Sequence, residues 1–182
     1  MVHPPDTHPS GRPEQARPTL TLFCGLPGAG KTTLARRLEA EGRGVRLCTD
    51  DWQAALGVSH DDTDFHERLQ LVLYRHGLDL LRRGTDVIVE DGLWQQSERA
   101  EKIADGRACG ARIELHVFDV PVATLWERLH RRNTDGEAGA YPMSRSALDW
   151  AVSVFQPPTA EELASVDRYE IRAGGRDGSV TG

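Results

Sequence analysis

Residues 19–38 read TLTLFCGLPGAGKTTLARRL, and this stretch decides the fold. Thr19 to Cys24 is a short apolar, β-favouring run that predicts a buried strand. From Lys31 the pattern turns helical, with Leu34, Ala35 and Leu38 on one face. Between them lies Gly25-x4-Gly30-Lys31-Thr32, the P-loop pattern. Glycines let the backbone fold tightly and turn successive N–H groups onto phosphate oxygens. The helix N-terminus adds partial positive charge. Gly25, Leu26, Pro27, Gly28, Ala29 and Gly30, with Lys31, Thr32 and Thr33, are therefore read as a nucleotide-binding loop. Lys31 is expected at the β and γ phosphates, and the Thr32 hydroxyl at Mg²⁺.

Composition sharpens the reading of Lys31. Of the 22 Lys and Arg residues only Lys31 and Lys102 are lysines. Where arginine is used so heavily, a lysine in the loop argues that a compact ammonium is needed there.

The bulk numbers bound the rest. A chain of 182 residues fits one domain with an ample core. Residues 1–18 carry five of the ten prolines among polar side chains, which predicts a disordered leader without a secretory h-region. Residues 19–173 form the expected domain, and 174–182 a flexible tail. No apolar run approaches membrane-spanning length. Cys24, Cys48 and Cys109 make no disulfide framework and read as reduced thiols, so a cytoplasmic protein is expected. A net charge of −6 argues against general nucleic-acid binding. His60 and His66 flank Asp61, Asp62 and Asp64. A metal site is one reading, and a solvated helix start with acidic caps is the stronger one.

Beyond the loop, strands and helices alternate. Strands are expected at 19–24, 45–49, 86–89, 112–118 and, weakly, 169–171. Helices are expected at 31–41, 64–83 (ended by Gly84), 97–108 (capped by Ser97), 121–132 and 144–155. Alternation implies an α/β three-layer sandwich with a mainly parallel five-stranded sheet. Ligands then bind beyond the C-terminal ends of the strands.

Those ends carry the candidate chemistry. Strand two runs into Asp50 and Asp51. A carboxylate that orients a hydroxyl and accepts its proton serves phosphoryl transfer, and Asp50 is the candidate base. Asp51 either supports it or caps the next turn. Strand three runs into Glu90 and Asp91. Asp91 suits a Mg²⁺-organising carboxylate or an acceptor contact, whereas strand alternation points Glu90 the other way. Trp52 and Trp94 follow these strands and are candidates to line an acceptor pocket, with packing under a loop as the alternative. Trp126 and Trp150 read as structural. On the fourth helix Arg128 and Arg132 share a face and lead into a glycine-bearing loop, together a lid over about 128–143. A lid arginine, Arg132, alone or with Arg131, is expected to neutralise the transferring group. A basic helix end complementing the dipole is the alternative.

These residues resemble the small P-loop kinases that include the 5′-hydroxyl kinase domain of phage polynucleotide kinases. Zeta toxins and chloramphenicol phosphotransferases are more distant relatives. The resemblance spans roughly residues 19–160. It rests on Gly25 to Thr33, the Asp50–Asp51 pair, Asp91, and Val117-Phe-Asp-Val-Pro121 leading to Arg128 and Arg132. It implies a nucleoside-monophosphate-kinase-like sheet, ATP as donor, Asp50 as general base, Arg128 on the adenine and Arg132 on the phosphates. Two departures stand out. No arginine follows shortly after Asp50–Asp51, and Gly92-Leu-Trp94 replaces an expected polar residue after Asp91. Both add apolar surface and shift weight to a small-molecule hydroxyl acceptor. A 5′-hydroxyl polynucleotide kinase is the alternative, with Arg68, Arg75, Arg82 and Arg83 as its basic track. A nucleotide switch or ATPase without an acceptor is the third reading; a guanine-reading Asn-Lys-x-Asp is absent.

Overall fold

A computed structural model describes residues 17–135, 142–174 and 179–181. Most of the expected leader, the lid segment 136–141 and the tail segment 175–178 lie outside the described residues.

The chain order is β1 (Thr19–Cys24), α1 (Lys31–Ala40), β2 (Val45–Leu47), α2 (Thr49–Ala55), α3 (Thr63–Arg82), β3 (Val87–Val89) and α4 (Gln96–Ala108). It continues with β4 (Arg112–Asp119), α5 (Val122–Asp135), α6 (Arg145–Val154), α7 (Ala160–Ala164), β5 (Arg168–Ala173) and β6 (Ser179–Thr181). The sheet order is β2-β3-β1-β4-β5-β6. The first five strands are parallel, and β6 pairs antiparallel with β5. Part of the segment expected as a flexible tail is therefore a short edge strand.

Alternation along β1 divides the core. Leu20, Leu22 and Cys24 face a cluster with Val87, Val89, Ile113 and Leu115, covered by Leu81 of α3 and Ile103 of α4. Phe23 faces Ile88 and Phe118 on the other side, beneath Leu34 of α1, Leu125 and Leu129 of α5 and Leu148 of α6. The first face is apolar, as a parallel sheet under helices requires, while the Phe23 face also buries Thr21, Glu114, His116 and Glu170.

Several boundaries differ from the sequence reading. Strand β2 ends at Leu47, and Thr49–Ala55, read as strand end and loop, is helix α2. Asp50 and Asp51 in its first turn favour the helix electrostatically, while seven residues are too few to show a period. Gln95, not Ser97, precedes α4; its N–H donates to Glu98 at 2.9 Å. Helix α7 was also hidden by its brevity. Gly84 does end α3, with φ of 85° and its N–H on Leu81. Among the described residues no helix is long and apolar enough to cross a membrane.

Candidate active site

The loop between β1 and α1 has a conformation suited to anions. Gly28 and Gly30 adopt φ of 79° and 102°, which glycine reaches without a steric cost. A Cβ on Gly30 would meet nothing within 4 Å. Gly30 caps α1 without a side-chain hydrogen bond, and no acidic residue occupies the first turn. The first N–H groups of α1 are thus left for an external acceptor. Leu26 and Ala29 point into the core, so they offer only backbone to a ligand. Thr32 and Thr33 are exposed at the helix start. Lys31 donates from Nζ to the carbonyls of Gly25 and Leu26, each at 2.9 Å. Burial lowers its pKa to about 8, against the opposing charges of Glu90, Cys24, Asp50 and Asp91. A phosphate would supply the anion that this desolvated ammonium is short of.

The turn after β3 buttresses the loop. Gly25 donates from its N–H to Gly92 at 2.9 Å, and the Trp94 indole N–H donates to the Gly25 carbonyl at 3.2 Å. A Cβ on Gly92 would lie 2.4 Å from Trp94 Nε1. Leu93 has φ of 39°, a left-handed conformation that costs a leucine energy and must be held by its surroundings. Arg99 of α4 holds it. Its fully buried guanidinium donates to the Leu93, Trp94 and Gln156 carbonyls at 3.1, 3.3 and 2.8 Å. It also pairs twice with Glu162 of α7, at 2.8 and 3.1 Å. Burial raises the neighbouring Cys24 thiol to about 11 despite Arg99, so that thiol is inert.

The four acidic residues beyond β2 and β3 have distinct environments. Asp50 is two-thirds exposed, with Oδ1 3.9 Å from His60 Nδ1 and 3.7 Å from His66 Nδ1. Buried Gln53 donates to the Ser59 and Asp62 carbonyls at 2.7 and 3.4 Å. Its Oε1 therefore faces His66 Nδ1 at 2.8 Å as the acceptor. Asp51 is occupied: Oδ2 accepts from Arg46 at 2.6 Å, and Oδ1 lies 3.5 Å from Arg36. Burial raises its carboxyl, but Arg46 and Arg36 outweigh that and hold it below the usual range. Glu90, expected to point away, is buried and accepts from Arg46 Nε at 2.6 Å. It does point away from Asp91: Glu90 turns to Arg46 on the Ile88 face, while Asp91 turns to Gln70 of α3 and Lys102 of α4, so alternation carries past Val89. Asp91 Oδ1 accepts from Gln70 at 3.0 Å, and Oδ2 lies 3.8 Å from Lys102 Nζ. Beside Asp91 is a small cleft lined by Leu47, Thr49, Gln70, Leu73 and Val89.

Arginine from α5 reaches the same loop. Arg128 donates to the carbonyls of Gly28 at 3.4 Å and Gly174, after β5, at 3.1 Å. Arg132 lies one turn on, half-buried, and Arg131 is exposed. Asn133 exchanges amide hydrogen bonds with the Met143 backbone at 2.8 and 3.2 Å, tying the end of α5 to the start of α6. Trp52 is half-exposed on α2. Trp94 meets Trp150 edge-on at 5.8 Å, and Trp150, read as structural, is 61% exposed.

The structure thus gathers Lys31, Asp50, Glu90 and Asp91 into one electrostatic neighbourhood, with Arg128 on the loop's other side. Sequence reasoning passed over Arg46, Arg99 and Lys102. Lys102 carried a usable signal, since the rarity that marked Lys31 marks it equally. Among the described residues no cluster of three His, Cys, Asp or Glu could hold a metal. The exposed Thr32 hydroxyl beside the open α1 N-terminus fits a Mg²⁺ shared with a nucleotide's phosphates.

Comparison with known proteins agrees with this geometry. A family model described as "AAA domain" matches residues 20–158. A structure of the Pnkp1/Rnl/Hen1 RNA repair complex is similar at 25% identity and a TM-score of 0.62, over 75% of this chain and 43% of that one. The match thus spans less than half the length of that relative. Kti12 of Chaetomium thermophilum, in complex with ADP-AlF3, is similar at 19% identity and a TM-score of 0.65, over 87% of this chain and 90% of that one. A gluconokinase of Sinorhizobium meliloti is similar at 16% identity and a TM-score of 0.57, over 88% and 85%. No curated protein matches the sequence. With the P-loop and its strand order in place, the chain has the fold of the P-loop kinases, and it belongs to the family described as "AAA domain".

Proposed function

We propose that this protein is an ATP-dependent kinase that transfers the γ-phosphate to a hydroxyl of a small molecule. The observation that carries this reading is the division of labour between Asp50 and Asp51. Asp51 is tied to Arg46 and Arg36, which anchors the first turn of α2. Asp50, on the same turn, is exposed and close enough to Lys31 to act on its charge. A carboxylate offered to solvent beside a phosphate-binding lysine suits a general base.

In this mechanism the loop amides and Lys31 hold the β and γ phosphates. Thr32 would hold Mg²⁺, which neutralises phosphate charge when bound. Asp50 takes the proton from the acceptor hydroxyl as its oxygen bonds to the γ-phosphorus and the bond to the ADP oxygen breaks. Arg128 supports the loop and the nucleotide, and Arg132, alone or with Arg131, neutralises the transferring group. Trp52, exposed on α2 beside Asp50, flanks the acceptor side, whereas Trp94 packs beneath the loop. The lack of an arginine shortly after Asp50–Asp51 favours a compact acceptor over a nucleic acid. The net charge of −6 points the same way. A 5′-hydroxyl polynucleotide kinase is the second reading, favoured by the likeness to the RNA repair complex.

The test uses γ-labelled ATP and Mg²⁺ with a 5′-hydroxyl oligonucleotide and, separately, a panel of sugars, nucleosides and aminoglycosides. Label on a small molecule, lost in Asp50→Asn while ATP still binds, is the expected result. Label on the oligonucleotide would replace the acceptor class. Hydrolysis alone, unchanged in Asp50→Asn, would leave an ATPase and remove the kinase reading.

A further inference from the structure

Lys102 is one of only two lysines, and the other is the phosphate-binding Lys31. It projects from α4 with its ammonium 3.7 Å from the centre of the Tyr74 ring on α3. The Tyr74 hydroxyl donates at 2.9 Å to Asp105, one turn beyond Lys102 on α4. This brace directs the ammonium to Asp91, 3.8 Å from Oδ2, while the other oxygen accepts from Gln70 at 3.0 Å. The Lys102 and Asp91 side chains are 16% and 12% exposed, so water screens the pair little.

Each Asp91 oxygen thus faces a donor fixed on a different helix. A carboxylate serving Mg²⁺ must offer a lone pair to a small ion with strict octahedral demands. An ammonium at that range repels a divalent cation. We propose that Lys102 and Gln70 hold Asp91 out of the Mg²⁺ shell. The protein then ligates the metal of MgATP through Thr32, without a carboxylate from β3. Asp91 instead faces the adjoining cleft as a hydrogen-bond acceptor. The Gln70 amide spends its nitrogen on Asp91 and leaves its oxygen as a second acceptor. This proposal rests on the kinase reading, through MgATP as the ligand of the loop.

The scarcity of lysine makes the test direct. A chain labelled with [¹³C]lysine gives two side-chain ammonium-end signals, and Tyr74→Leu assigns Lys102 through its ring-current shift. Adding MgATP to the wild-type chain is expected to move the Lys31 signal and leave that of Lys102 in place. Calorimetry is expected to give an MgATP affinity within about twofold of wild type for Asp91→Asn. A Lys102 signal that moves with MgATP but not with metal-free ATP would overturn the proposal. So would an affinity loss of about tenfold or more in Asp91→Asn, the scale of a lost metal contact. If Asp91→Asn does not fold, the wild-type Lys102 signal decides: unmoved by MgATP it supports the proposal, and moved by MgATP but not by metal-free ATP it overturns it. A wild-type chain that binds no ATP would remove the kinase reading itself, a result distinct from these.

Discussion

Arg46 and Glu90 form a buried ion pair, Nε to Oε2 at 2.6 Å, within electrostatic reach of Lys31. Glu90 is also the strongest charge drawing Lys31 towards its protonated form. Arg46→Leu would strand Glu90 and release Asp51. A broken buried pair costs about 3–5 kcal/mol. Urea unfolding should show that loss, and Arg46→Met with Glu90→Leu should recover much of it. ATP affinity should fall in the single variant, because the uncompensated Glu90 would draw Lys31 inward.

Lys31 gives the free protein a pH signature. Its folded pKa, about 8, lies below the ordinary 10.5. Between those values the unfolded chain binds more protons than the folded one, so this group makes stability rise with pH there. The wild-type chain should therefore gain stability relative to Lys31→Met from about pH 8 upward. ATP affinity should weaken over the same range, because a neutral amine must take up a proton to meet phosphate. Chemical denaturation of both chains, and calorimetry at several pH values, would check the two slopes.

Arg99 should be the costliest single residue to truncate outside the apolar core. Arg99→Met leaves Glu162 and three carbonyls without their donor, and a loss of about 3–5 kcal/mol is expected. Arg99→Lys should rescue little, since one ammonium cannot reproduce the fork. The exposed Arg145–Asp149 pair, at 2.9 Å, is the contrast: Arg145→Ala should change stability by about 0.5 kcal/mol or less. Thermal unfolding of the three variants would rank them.

Gly92→Ala tests the buttress. The new methyl would fall 2.4 Å from Trp94 Nε1 and 3.2 Å from the Gly25 carbonyl. The indole must move, and Gly25 loses a donor. ATP affinity should drop, while Gly110→Ala, an open but left-handed site far from the loop, should lower stability without touching affinity. Parallel ATP titrations would separate the two.

Much of this architecture was legible because its signals are local. The β1–loop–α1 unit, the parallel sheet and the helix ending at Gly84 follow from short-range pattern and turn chemistry. The pairing of Asp51 with Arg46, or of Arg99 with Glu162, was not legible, since each depends on contacts between distant segments. That Glu90 points away from Asp91 was legible from strand alternation, while its partner Arg46 was not. Helices α2 and α7 carry too few residues for a period to emerge. Trp150 lies on an amphipathic helix, and its exposure follows from where α6 packs, which its spacing alone does not specify.

The reach of Arg99 has a consequence for biosynthesis. Its guanidinium ties Cys24, at the edge of the loop, to Gln156 and Glu162 near the other end of the domain. The turn that buttresses the loop is complete only when those late residues have docked. A ribosome must therefore release nearly the whole domain before the nascent chain can grip a nucleotide, and truncated translation products should be nucleotide-blind.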